Sequence, residues 1–112
     1  MGTEGTDTQK LPIVIEPREW EELTAILRAY VPGRRVWAFG SRATGQRVKR
    51  YSDLDLLVDG EGLSMREAAM LEEALVESRL PFKVDVLQMG EIAAEFRERI
   101  AGEMVVLIGE LS

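Results

Sequence analysis

The stretch that decides the fold is VWAFGSRATGQRVKRYSDLDL, residues 36–56, which joins an apolar run, a Gly-Ser turn, a basic loop and a pair of carboxylates. Val36 to Phe39 is built of large and β-branched side chains and stops at Gly40, so it reads as a buried strand ending in a turn. A glycine at that point lets backbone N–H groups come close to an anion. Ser41 can donate its hydroxyl to a phosphate oxygen or cap the short helix that follows. Eleven residues separate Ser41 from Asp53-Leu54-Asp55-Leu56. Alternate side chains of a strand share a face, which sends Asp53 and Asp55 one way and Leu54, Leu56 and Val58 the other.

An Asp-x-Asp pair on its own is common by chance. Here it stands in a strand pattern, at a fixed distance from a Gly-Ser turn, with a third carboxylate in Lys83-Val84-Asp85-Val86. Phe82, Val84 and Val86 alternate with Lys83 and Asp85, so Asp85 repeats the logic of Asp53 and Asp55. If the two acidic strands are neighbours, one sheet face gathers all three carboxylates.

Composition narrows the chemistry. The 112 residues are 46% hydrophobic, enough for one domain with a real core. With no histidine and no cysteine, a His-based triad, a His-ligated zinc and thiolate chemistry are excluded, leaving metal chemistry to carboxylates and other oxygens. A net charge of −6 argues against binding along a nucleic-acid backbone. Six of the fourteen basic residues (Arg34, Arg35, Arg42, Arg47, Lys49, Arg50) fall within 33–50, a stretch with no acidic one. That focus suits a small polyphosphate, although a solvated loop would look the same in sequence. No apolar run reaches the roughly 20 residues of a membrane span, and the N-terminus lacks the pattern of a signal peptide, so a cytoplasmic location is expected.

The rest of the chain supplies cover for the strands. Residues 1–10 read as a disordered polar lead, and 11–112 as the domain. Pro17 opens a helix running to about Tyr30, with Trp20, Leu23, Ile26, Leu27 and Tyr30 on its apolar stripe, before Pro32-Gly33 ends it. Asp59-Gly60-Glu61-Gly62 is a turn. Ser64 and Glu67 form a capping-box pattern for a helix to about Ser78, whose broad apolar face starts at Met65, with Met65 and Met70 as gap-filling core or interface residues. After a strand over 82–87, a last helix spans about 91–101 with Gly102 as its cap. Met104 to Ile108 is then an edge strand or a partner-facing tail. The predicted class is α/β (α+β): a small sheet flanked by helices in a single domain.

Gly40-Ser41-Arg42-Ala43, Ser52-Asp53-Leu54-Asp55 and Leu80-Pro81-Phe82-Lys83-Val84-Asp85 resemble the signature of the polymerase-beta-type nucleotidyltransferase superfamily, and within it the minimal (MNT) branch, over about residues 18–108. The resemblance implies the nucleotidyltransferase fold with a mixed sheet. It implies two magnesium ions bridged by Asp53 and Asp55, with Asp85 completing the acceptor-side ion and helping to lower the pKa of the acceptor hydroxyl. Gly40 and Ser41 would hold the β- and γ-phosphates of ATP or another nucleoside triphosphate, and Arg42 either adds charge to them or points outward. A chain of this size carries the nucleotide-handling half alone. The resemblance therefore implies a partner, a helical HEPN-family RNase toxin on which the MNT protein acts as antitoxin by adding AMP. A non-catalytic nucleotide-binding module, or transfer to a small-molecule hydroxyl within a homo- or hetero-oligomer, are the other readings.

Overall fold

A computed structural model describes residues 11–59, 61 and 63–109 of the chain. The expected polar lead at residues 1–10 and the turn glycines Gly60 and Gly62 lie outside the described residues. Four strands form one sheet in the order β3-β2-β1-β4, where β1 is Val36–Phe39, β2 is Leu54–Val58, β3 is Val84–Gln88 and β4 is Val105–Ile108. β1 runs antiparallel to both β2 and β4, whereas β2 and β3 are parallel, so the sheet is mixed. The parallel pair is joined by a helical crossover, as parallel strands require.

Helix α1 (Pro17–Tyr30) begins as its sequence suggests: proline stands at the first helical position, and the Glu19 carboxylate accepts from the Glu16 N–H. A single-turn helix α2 (Ser41–Thr44) follows β1, and α3 (Met65–Val76) makes the β2-to-β3 crossover. Ser64 Oγ accepts from the Glu67 N–H while Glu67 Oε1 accepts from the Ser64 N–H, which satisfies two otherwise unpaired donors at the start of α3. Leu23 and Leu27 of α1 pack with Leu71 and Leu75 of α3 against Val36, Ala38, Leu54, Leu56 and Val58 on one face of the sheet. Burial of these apolar side chains is the main stabilising term of the fold. On the other face a smaller cluster joins Phe39, Leu57 and Ile100, with Trp37, Phe96 and Met104 packed against it.

Three expectations need correction. The last helix is interrupted: a 3-10 turn over Met89–Glu91 is followed by Ile92 and Ala93 in extended conformation, α4 covers Ala94–Ile100, and a second 3-10 turn spans Ala101–Glu103. Ile92 leaves the helical path and packs on the Phe39–Leu57–Ile100 cluster. Gly102 therefore lies inside the second turn and is not the helix cap, a place that Ala101 takes. Met65 (89% exposed) and Met70 are in solvent, which removes the core alternative for the two methionines and not the interface one, and Val76 at the end of α3 is exposed as well. Met104 to Ile108 resolves in favour of the edge strand, β4.

Candidate active site

The site is assembled at one end of the sheet, where β1 stops and β2 starts. Antiparallel register pairs Phe39, the last residue of β1, with Asp55, and parallel register pairs Asp55 with Asp85. Asp55 and Asp85 thus stand side by side on the face that also carries Leu57 and Phe39, while Leu54 and Leu56 go into the opposite core. Asp53 immediately precedes the strand and is exposed; Asp55 and Asp85 are half-buried. Burial holds the Asp55 carboxyl above the usual carboxylate range, and the nearby negative charges of Asp85, Asp53 and Glu103 push it further in the same direction. Lys83 Nζ lies 3.5 Å from Asp85 Oδ1, an ion pair on the solvent side of β3. Among the described residues no three acidic side chains converge closely enough, as they are placed, to enclose a metal ion.

Gly40 has φ +84°, a conformation suited to glycine, and a β-carbon there would lie 2.5 Å from Asp55 Oδ2. The backbone of the turn is therefore pressed against the carboxylate. Ala43 and Thr44 donate back to the Gly40 carbonyl at 3.0 Å, and Gly45 donates to Ser41 at 2.7 Å. The N–H groups of Ser41 and Arg42, in the first turn of α2, have no backbone partner among the described residues and can meet an anion.

The structure corrects the expectation for Arg42. Its side chain is buried (4% exposed) and its guanidinium donates to the carbonyls of Val14, Lys49, Arg50 and Ser52, with the closest at 2.8 Å. The cation also lies 4.0 Å over the Phe82 ring. With four of its five N–H donors given to backbone carbonyls, Arg42 binds its own chain, anchoring the loop that delivers Asp53. Burial pulls its pKa below the usual value, and Glu19 opposes that shift. The basic cluster is also less focused than its sequence suggests. Arg34 donates to the carbonyls of Asp59 and Glu61, and Arg35 to that of Gly109, at the far end of β1 from Gly40. Arg47, Lys49 and Arg50 are exposed on the loop after α2, and Arg35 is exposed at the far end of β1.

Glu103 is the site residue that sequence reading missed. From the turn before β4 its Oε1 accepts from the Gly40 N–H at 2.7 Å. The two residues are 63 apart, and no local spacing announces the contact. Beside Asp55 and Asp85, the rings of Phe39 and Phe96 meet edge to face with centroids 5.8 Å apart, walling a groove of about 700 Å³ that opens along β3.

Comparison with known proteins agrees with this geometry. The family model described as polymerase beta, nucleotidyltransferase matches residues 21–110. The "Probable protein adenylyltransferase MntA" of Haemophilus influenzae is 42% identical over 94 residues, covering 83% of this chain and 82% of that protein. Among solved structures, the crystal structure of a toxin-antitoxin with AMP-PNP superposes with a TM-score of 0.62 at 20% identity, covering 81% of this chain and 73% of the other. A mutant of the toxin-antitoxin MntA-HpeT gives 0.59 at 17% identity over the same shares of the two chains. No helix among the described residues is long and apolar enough to cross a membrane. On the matched family model and the identity with its relative, this chain is an enzyme that belongs to the polymerase beta nucleotidyltransferase family.

Proposed function

We propose that the chain transfers AMP from ATP to a hydroxyl group on a partner protein, and that the partner is a HEPN-type RNase toxin which the modification neutralises in the cytoplasm. The observation that carries the reading is the register that sets Asp55 beside Asp85, next to a turn whose free N–H groups suit a phosphate. The name of the Haemophilus relative supports protein as the acceptor, and the toxin-antitoxin neighbours support a toxin as that protein.

By donor chemistry the residues present suit a magnesium ion that takes its remaining positions from phosphate and water. Asp53, Asp55 and Asp85 offer hard oxygen donors, and the charge they gather favours a cation. Asp53 and Asp55 would hold it together with phosphate oxygens and water. When bound, magnesium offsets charge on the triphosphate and polarises the α-phosphate. The chain's own groups do the rest. Ser41 and the free N–H groups of α2 bind the outer phosphates and hold the α-phosphorus at the carboxylates. Asp85, with its open side toward solvent, orients the acceptor hydroxyl and accepts its hydrogen bond. The acceptor oxygen bonds to the α-phosphorus as the bond to the β-bridging oxygen breaks; pyrophosphate leaves with that electron pair, and the hydroxyl proton passes through Asp85 to water.

The test is transfer of label from α-phosphate-labelled ATP with magnesium to a co-expressed helical partner. Label should move to that protein with the wild type and fall by at least about a hundredfold with Asp53→Asn. Full transfer by the variant would remove Asp53 from the site, and absence of transfer by the wild type while ATP still binds would refute the protein acceptor.

A further inference from the structure

The Gly40 turn is held from three directions. Its carbonyl is taken by the N–H groups of Ala43 and Thr44, Asp55 Oδ2 fills the space a β-carbon would occupy, and its N–H is taken by Glu103. The first contact is internal to the turn, and the second is a steric stop. The third is the directional one, a partly buried N–H···carboxylate bond of 2.7 Å, in the short, strong class made by ionised acceptors. It ties the end of β1 to the turn that leads into β4.

The choice of a carboxylate for this task has a cost. Glu103 adds a negative charge next to Asp55, which already faces Asp53 and Asp85. A bond that merely steadied the sheet would be better made by a neutral acceptor. The bond fixes the peptide plane between Phe39 and Gly40 at the entry to the turn, while the Ala43 and Thr44 N–H groups on the Gly40 carbonyl fix the next plane, between Gly40 and Ser41, relative to it. That plane sets the direction of the Ser41 N–H, and the Ser41 side chain departs from the same point.

Resting on the nucleotidyl-transfer reading but not on the identity of the acceptor, we propose that Glu103 is a positioning residue for the nucleoside triphosphate: by holding the Gly40 N–H it aims the Ser41 hydroxyl and the free N–H groups of α2 at the outer phosphates. Glu103 itself touches no phosphate. Its effect passes through the backbone of the turn and falls on nucleotide affinity.

The test titrates the full chain with magnesium and a non-hydrolysable ATP analogue, following the Gly40 amide by nitrogen-proton NMR. Glu103→Gln keeps an acceptor oxygen at the same reach. It should leave affinity within about threefold of wild type and keep the Gly40 amide slow to exchange. Glu103→Ala should weaken the analogue by about tenfold or more, the scale of losing one hydrogen bond to a charged group, with faster exchange confined to the turn. Glu103→Asp, one methylene short, should follow alanine, and it decides the matter if the alanine variant does not fold. Unchanged affinity in the alanine or aspartate variant with an altered Gly40 amide would overturn the proposal. Tighter binding would overturn it in the opposite sense, showing that Glu103 competes with phosphate. A wild type that fails to bind the analogue would sink the nucleotide reading, whereas binding without transfer to any protein would leave Glu103 in place and remove the protein acceptor alone.

Discussion

A methyl group on Gly40 would stand 2.5 Å from Asp55 Oδ2 while holding the backbone at φ +84°. Gly40→Ala should therefore destabilise the fold by about 1–3 kcal/mol, measured by denaturant unfolding, and it should weaken nucleotide binding because the carboxylate must move. Asp55 itself sits in an environment that opposes its charge. Its folded-state pKa is raised above the unfolded value, so its ionisation costs stability, and that cost appears as pH rises through the folded-state value. Asp55→Asn should accordingly melt higher than wild type at neutral pH while losing transfer activity, and the melting advantage should vanish below the ordinary carboxylate range. An advantage that persisted in acid would show that repulsion among the carboxylates is not its source. At this scale the sequence was legible where chemistry follows spacing: counting alternate positions puts Asp55 and Asp85 on one face, as the register does, while Asp53 precedes β2. It was not legible where a side chain's role depends on what folds over it. Arg42 looks like a phosphate ligand in a basic loop, and nothing local shows that four carbonyls converge on it.

Among the elements, β3 is the outer strand beside the carboxylates. Leu54 donates to the Lys83 carbonyl at 2.9 Å, and in this register Lys83, Asp85 and Leu87 turn their backbone groups toward β2. The backbone groups of Val84 and Val86 consequently face outward. Proline is tolerated in a strand only where its missing N–H would have faced outward, so Val86→Pro should retain a cooperative unfolding transition. Leu57→Pro, in a strand paired on both sides, should abolish that transition; equal damage from the two would contradict the register. The strand and helix periods revealed these elements, and the Ser64–Glu67 box marked the start of α3. Periodicity does not choose a strand's neighbours, which is why the mixed pairing rested on family resemblance. Nor does it see a helix broken by packing, as Ile92 shows.

For the molecule as a whole, the two faces of the sheet are unequally covered. Two longer helices, α1 and α3, shield the main core, while the seven-residue α4 covers part of the face that bears the carboxylates. That asymmetry leaves the groove along β3 open. The charge is also divided by structure: Arg34, Arg35 and Arg42 donate to carbonyls of the chain itself, and Arg47, Lys49 and Arg50 are exposed on the loop after α2. The strand order carries a consequence for how the enzyme is made. β1 lies between β2 and β4, and β4 and Glu103 belong to the last segment of the described chain. During synthesis, a ribosome that has released the three aspartates has still not delivered the residue that steadies the Gly40 turn. The three aspartates are translated before Glu103, so a nascent or prematurely terminated chain lacks the tether on the Gly40 turn.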